Sequence, residues 1–354
     1  MTTKTTVHIQ PSATQDALPL LAGFETEEWE QARFVEQLGA TCRLQFSKDP
    51  VSAGDIERLA DATVLSVFIY SRLSGEWLNR LPKLKLIATR STGFDHIDVA
   101  WCRAHGVRVA NVPFYGENTV AEHTFALILA LSRNIHKAYV RTTRTDFSLD
   151  GLQGFDLKEK TLGVVGAGHI GLHVVKMAKG FGMRVLTADV RHDSFLEEVL
   201  GFQYVEFDRL LAESDIITLH VPYMPSTHHL VNRTAVQHMK RGALLINTSR
   251  GGLIDTDALV WGLDQGIIGG AGLDVLEGEE LIKEERQLLS REFPEEKLKT
   301  LLKNHILLHR ENVVITPHIA FNSREAVGRI LDTTVHNIRG YLEGKAENLV
   351  VREA

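Results

Sequence analysis

Gly166, Gly168 and Gly171 stand in the spacing G-x-G-x-x-G, and this is the arrangement in the chain that most directly specifies chemistry. The run Thr161 to Val165 before it is apolar and branched and reads as a buried strand, while a helical pattern opens at His169. Strand, tight turn and helix in that order form a cradle for a dinucleotide. The first glycine lets the chain turn sharply, the second lets a pyrophosphate approach the backbone, and the third lets helix and strand pack closely. The helix then offers the phosphates free N–H groups and the positive end of its dipole. A second buried run, Met183 to Val190, carries Asp189 near its end, 18 residues past the last glycine, Gly171, where an acid meets the adenosine ribose. A carboxylate there accepts from both ribose hydroxyls and repels a 2′-phosphate, which selects NAD over NADP; Arg191 beyond it reads as a solvated loop charge. Arg250 follows the apolar run Ala243 to Asn247, so it lies where a parallel strand ends at a ligand crevice. A guanidinium at that place can hold a planar carboxylate through two N–H bonds and still reach a neighbouring carbonyl oxygen.

Composition narrows the partners. The chain has 354 residues, 44% hydrophobic and 24% charged, enough for two α/β domains with large cores. A net charge of −6 without a Lys/Arg block argues against nucleic acid and membrane surfaces as partners and leaves small molecules. The most apolar stretch, Thr124 to Leu131, is too short to span a bilayer, and MTTKTTVHIQP lacks the apolar core of a signal peptide, so a cytoplasmic location is expected. Cys42 and Cys102 have no C-x-x-C spacing, which fits a reducing compartment. Sixteen histidines include the pair His228-His229 but no ligand set with a supporting carboxylate or thiol, so no metal is expected.

The elements that must position these residues alternate between strand and helix. Strands are predicted at 6–10, 41–45, 63–70, 84–88 and 108–111, with helices at 25–38 and 99–105, so a complete α/β unit precedes the glycine loop. An unbroken helix is predicted from Thr119 to about Thr143, apolar nearly all round in its first half, which a domain or a second subunit must bury. Strands then recur at 161–165, 184–188, 216–220, 243–247, 270–275 and 313–316, with helices at 171–181, 207–211, 233–238 and 256–265: a doubly wound parallel sheet. The charged stretch Glu279 to Glu311, interrupted by Pro294, reads as a surface excursion with two short helices. A last helix spans Ser323 to Leu342, and the tail from Glu347 carries little signal.

Seven ordered motifs between Leu84 and His336 resemble the D-isomer-specific 2-hydroxyacid dehydrogenases, and within them the D-lactate dehydrogenase branch. They are RSTGFDHID (90–98), NVPFYGENTVAEH (111–123), the glycine loop, HVPYMPSTHHLVN (220–232), INTSRGGLIDTDAL (246–259), GAGLDVLEGE (270–279) and ITPHIAF (315–321). The resemblance implies two Rossmann-like domains, the NAD domain (118–318) being inserted into a discontinuous substrate-binding domain (1–117 and 319–354). It further implies a homodimer built around the apolar helix from Thr119, and conversion of pyruvate and NADH to D-lactate and NAD.

The roles that the resemblance implies fall on particular residues. Arg250, Glu279 and His318 are the catalytic set, Glu279 and His318 meeting as a carboxylate–imidazole pair that serves as acid for ketone reduction and base for alcohol oxidation. Asp274 orients the nicotinamide amide, and Thr92 and Gly93 offer backbone N–H groups to a substrate carboxylate. Tyr115, Phe321 and Tyr70 form the pocket wall. His169, Ile170, Val221, Pro222, Thr227, Thr248 and Ser249 complete the cofactor contacts, while His96 and His123 read as packed structural residues. Other activities of this superfamily stay open: reduction of branched or aromatic keto acids, hydroxypyruvate or glyoxylate, and, more distantly, NAD-sensing corepression. Formate oxidation is disfavoured, because it moves no proton and in those enzymes Gln replaces the acid that stands here as Glu279.

Overall fold

The computed structural model describes residues 18–279 and 295–351. The chain opens with β1 (Leu20–Gly23), α1 (Glu28–Leu38), β2 (Arg43–Phe46), β3 (Ala62–Val67), α2 (Gly75–Leu78), β4 (Leu86–Thr89), α3 (Val99–Ala104) and β5 (Arg108–Ala110). Leu65, Val67 and Ile87 point to one face of the sheet and Val64, Leu86 and Ala88 to the other, so both faces carry a core, as expected for strands flanked by helices on both sides. The strand expected at 6–10 lies outside the described residues.

A second unit, Glu117–Asn322, follows. It begins with α4 (Glu117–Ser132) and α5 (Ile135–Thr142), two helices where the sequence pattern predicts one. The break is at Asn134, whose φ of 50° is left-handed, a conformation asparagine tolerates. Its cause is remote in sequence: the Ser132 carbonyl accepts from the Phe155 N–H at 2.9 Å as the chain returns across the end of α4. Next come β6 (Thr161–Val165), α6 (His169–Gly180), β7 (Arg184–Ala188), α7 (Ser194–Leu200), β8 (Gln203–Tyr204), α8 (Phe207–Glu213), β9 (Ile216–Leu219), α9 (Arg233–His238), β10 (Ala243–Asn247), α10 (Thr256–Asp264), β11 (Ile268–Leu273), α11 (Glu295–Leu308) and β12 (Val313–Ile315). The seven strands are all parallel, in the order β12-β11-β10-β9-β6-β7-β8. That is the dinucleotide-fold order, with its switch point between β6 and β9. Helix α4 is buried within this unit: Ala121, Phe125, Leu127, Ile128 and Leu131 join a core with Val164, Val174, Leu244 and Ile246. Helix α11 is 14 residues long and buries Asn304 and Leu307, so this part of the charged stretch is packed and not only a solvated excursion.

The chain then returns to the first unit, which comprises Met1–Gly116 and Ser323–Ala354. Helix α12 (Arg324–Leu342) is capped by Ser323, whose Oγ accepts from the Ala326 N–H, and β13 (Leu349–Val351) pairs antiparallel with β5. The first unit's sheet has the order β13-β5-β4-β3-β1-β2. Its switch point lies between β1 and β3, as in flavodoxin-like doubly wound sheets. No described helix is long and apolar enough to cross a membrane.

Candidate active site

The glycine loop occupies the switch point of the second unit. Gly166 has φ +101°, and a Cβ there would lie 2.6 Å from the His220 carbonyl oxygen at the end of β9. At Gly171 a Cβ would meet the Gly166 carbonyl oxygen at 2.0 Å, whereas at Gly168 it would project into open space. Gly168 is the N-cap of α6 and caps it with no side chain, so the helix end beside His169 and Ile170 presents bare backbone. Two glycines are thus required by the protein itself, and the third leaves a concavity a side chain would fill. These residues fit a pyrophosphate.

Asp189, at the end of β7, accepts from the Ala167 N–H through Oδ2 at 2.6 Å and from the Arg191 N–H through Oδ1 at 2.9 Å. The carboxylate is thereby aimed beside the glycine loop, and each oxygen keeps a lone pair for a ribose hydroxyl. On the other side of the switch point, Val221 packs on Gly166, and Thr227 closes the next loop by donating to the Pro222 carbonyl at 2.7 Å. His220 is half-buried, with Nε2 2.8 Å from Thr218 Oγ1, and desolvation of the ring pushes its pKa down to about 3, so it stays neutral.

The remaining candidates of this unit follow three neighbouring strands. Arg250 comes after β10; its Nη1 donates to the Ser249 carbonyl at 2.8 Å, and Asn247 Nδ2 donates to the Arg250 carbonyl at 2.9 Å. Ser249 Oγ reaches the Leu219 carbonyl at 2.8 Å, and Thr248 Oγ1 lies 3.0 Å from Thr124 Oγ1 of α4. Glu279 follows β11 and His318 follows β12, and the two meet, with Nδ1 of the imidazole 2.8 Å from Oε1 of the carboxylate. His318 itself has a left-handed backbone, φ 55°.

Asp274 is buried against the turn that carries His318. Its Oδ1 accepts from the Ile319 N–H at 2.9 Å and from Thr316 Oγ1 at 2.5 Å, and its Oδ2 accepts from the Ala320 N–H at 2.9 Å. Burial works against the charged carboxylate, but hydrogen bonds from His123, Thr316 and the two backbone N–H groups outweigh it and hold the pKa below the usual carboxylate range. Phe321, half-buried, ends the same turn.

In the first unit, the turn after β4 is held by its neighbours. Thr92 Oγ1 donates to the Val112 carbonyl at 2.7 Å, Asn111 Nδ2 donates to the Thr92 carbonyl at 2.8 Å, and Ser91 Oγ donates to the Gly93 carbonyl at 2.6 Å. His96 Nε2 lies 3.2 Å from Thr89 Oγ1, a structural contact within that turn. Tyr115 is half-buried, and its carbonyl accepts from the Arg329 guanidinium of α12. Tyr70 lies in a loop fastened by Glu25, whose carboxylate accepts from the N–H groups of Phe68 at 2.6 Å and Tyr70 at 2.8 Å. Burial raises the Glu25 pKa against the lowering effect of those N–H groups and of Arg90.

Two supporting residues escaped the sequence reading. Nothing near Glu25 marks it as the anchor of the Tyr70 loop, because the residues it binds are 43 and 45 positions away. Gly251 had a local signal, its place directly after Arg250. A Cβ there would lie 2.1 Å from the Leu276 carbonyl carbon and 2.4 Å from the Glu277 nitrogen, so only glycine lets the Arg250 loop pass against the segment leading to Glu279. Among the described residues, no group of three or more His, Cys, Asp or Glu is placed to hold a metal ion.

Comparison with known proteins places this geometry. Residues 125–320 match the model of the NAD-binding domain of the D-isomer-specific 2-hydroxyacid dehydrogenases. The D-lactate dehydrogenase of Escherichia coli is 35% identical over 92% of this chain and 97% of its own length. A glyoxylate reductase of Korarchaeum cryptofilum is 36% identical over 84% of this chain and 85% of its own. The solved structure of D-lactate dehydrogenase from Aquifex aeolicus, complexed with NAD and lactic acid, is similar with a TM-score of 0.86 and 37% identity, covering 94% of this chain and all of that one (100%).

Proposed function

The chain belongs to the D-isomer-specific 2-hydroxyacid dehydrogenases, NAD-dependent oxidoreductases, and from that premise we propose that it reduces pyruvate to D-lactate, with Arg250, Glu279 and His318 as the catalytic residues. The observation that carries the chemistry is the 2.8 Å pair of His318 Nδ1 and Glu279 Oε1. With Nδ1 engaged, Nε2 is the ring nitrogen that exchanges a proton with substrate. When bound, the nicotinamide cofactor supplies the hydride that the carbonyl carbon receives. His318 gives the proton that turns the carbonyl oxygen into a hydroxyl, and in the reverse direction takes it back. Arg250 binds the carboxylate and stabilises the charge building on the carbonyl oxygen. Thr92 and Gly93 add backbone N–H groups for the carboxylate. Asp274 Oδ2 has a lone pair for the nicotinamide amide, and Asp189 takes the ribose hydroxyls.

Tyr115, Phe321 and Tyr70 are assigned to the substrate side chain in this proposal, and their aromatic rings favour a short one. The relative that is a glyoxylate reductase makes glyoxylate the second reading. A steady-state panel of pyruvate, hydroxypyruvate, 2-ketoisocaproate, phenylpyruvate and glyoxylate, each with NADH and NADPH, tests the proposal. Pyruvate with NADH is expected to give the highest kcat/KM, and acetaldehyde, which lacks the carboxylate, to be turned over at least ~100-fold less efficiently, about the 3 kcal/mol of a charge-assisted hydrogen bond. A higher kcat/KM for another acid overturns pyruvate as the substrate; comparable use of acetaldehyde overturns the role of Arg250.

A homodimer is part of the same proposal. Its support is not α4, which its own unit buries, but α5 and the chain after it, where Tyr139, Phe147 and Leu149 are 69%, 78% and 83% exposed. Sedimentation equilibrium of the intact protein is expected to return twice the chain mass, and Phe147→Asp to shift it toward one. A monomer for the unaltered protein disposes of this point.

A further inference from the structure

His318 takes up a backbone conformation that a non-glycine residue adopts only when its surroundings impose it, with φ 55°. The restraints come from one side. The His318 N–H is shared between the carbonyls of Thr316 and Asp274, both at 2.9 Å. The next two N–H groups, of Ile319 and Ala320, end on the two oxygens of the Asp274 carboxylate. Thr316 Oγ1 closes the turn on Oδ1 at 2.5 Å. Nε2 of His123, on α4, lies 3.0 Å from Thr316 Oγ1 and 3.4 Å from Asp274 Oδ1.

Counting hydrogens fixes the direction of this chain. An ionised carboxylate accepts only, so the single hydroxyl hydrogen of Thr316 points at Asp274. Thr316 Oγ1 can then only accept from His123, and Nε2 of His123 must carry a hydrogen. The order is His123 Nε2–H to Thr316 Oγ1–H to Asp274 Oδ1, with the N–H groups of Ile319 and Ala320 arriving from the far side. The adjacent residue on α4, Thr124, bonds Thr248 two positions before Arg250. One turn of α4 thus reaches both the loop that carries Arg250 and the turn that carries His318.

We infer that His123 is a positioning residue for the reaction: its Nε2–H, through Thr316 and Asp274, holds the 316–320 turn that sets the left-handed backbone of His318. This rests on the proposed role of His318 as proton donor. His123 touches neither the Glu279 carboxylate nor the His318 ring in the contacts above; it acts by removing alternatives for the backbone between them. Without its donor, Thr316 keeps its bond to Asp274 but loses the one from α4, so the turn is no longer tied to that helix and gains conformers in which the imidazole is misdirected.

The test compares His123→Phe, which keeps a ring and loses the donor, with His123→Gln, whose amide N–H can replace Nε2–H. His123→Phe is expected to lower kcat about tenfold, the factor carried by one ordinary hydrogen bond, with KM for NADH unchanged and a Tm near that of the unaltered protein. His123→Gln is expected to restore kcat to within about threefold, as a retained hydrogen bond should. Unchanged kcat in His123→Phe overturns the proposal. So does equal loss of kcat and Tm in both variants, which marks a purely packing role. His318→Ala is measured alongside: if it retains turnover, the reading of His318 itself fails, whereas its loss together with an indifferent His123→Phe fails only the present inference.

Discussion

His318→Ala is expected to lower kcat by about 10²- to 10⁴-fold, the usual contribution of a positioned general acid, while the dissociation constant for NADH from a fluorescence titration stays within about twofold. Hydride addition to a ketone leaves an alkoxide unless a proton arrives with it, and the imidazole can deliver that proton from one ring nitrogen while the other is held. Its Nδ1 is held at 2.8 Å by Glu279, which fixes both the ring plane and the nitrogen left for substrate. Alanine removes donor and orientation together, and Glu279 loses its partner. The loop proposed to hold the cofactor is built by other residues, at Gly166–Gly171 and Asp189, so binding and chemistry are expected to separate in this variant. Turnover within a few-fold of the unaltered enzyme would assign the proton to another group.

The sequence was informative wherever a physical requirement was local. Buried parallel strands read as continuous branched runs, and β6, β9 and β10 are buried at every position. The G-x-G-x-x-G spacing was readable because turn, close approach and helix packing all fall within six residues. Helix α4 was legible as buried, but what buries it was not: an apolar circumference serves a sheet and a second subunit equally well, and here β10 and β11 and helix α6 of its own unit cover it. The break at Asn134 was hidden because the helical pattern continues into α5 and its cause arrives with Phe155. Strand β13 is three residues long and exists through its pairing with β5, 239 residues before it by the Leu349–Ala110 register. His123 looked like packing because its hydrogen-bond partner lies 193 residues away.

Gly171→Ala is expected to damage both the fold of the second unit and its hold on NADH. The new methyl would stand 2.0 Å from the Gly166 carbonyl oxygen and 3.1 Å from its carbon, both backbone atoms with no rotamer to change. Gly166 has little freedom to retreat, because its own α-carbon faces the His220 carbonyl, and its φ of +101° is closed to other conformers by the turn. Overpacking of this kind costs roughly 1–3 kcal/mol, which for a unit of this size lowers Tm by roughly 3–10 °C. Strain that the loop relieves by shifting moves the α6 N-terminus away from where it meets the pyrophosphate, so the dissociation constant for NADH is expected to rise by at least about tenfold, or 1.4 kcal/mol. Gly168→Ala separates the two effects. A Cβ there meets nothing within 4 Å, so Tm should hold, yet the methyl occupies the concavity and NADH binding should fall comparably. Thermal melts with and without NADH, run on both variants, read each quantity directly. If Gly168→Ala binds NADH as tightly as the unaltered protein, the pyrophosphate does not lie against this helix N-terminus; if Gly171→Ala melts unchanged, the close packing of α6 on the glycine loop is not what holds the site together.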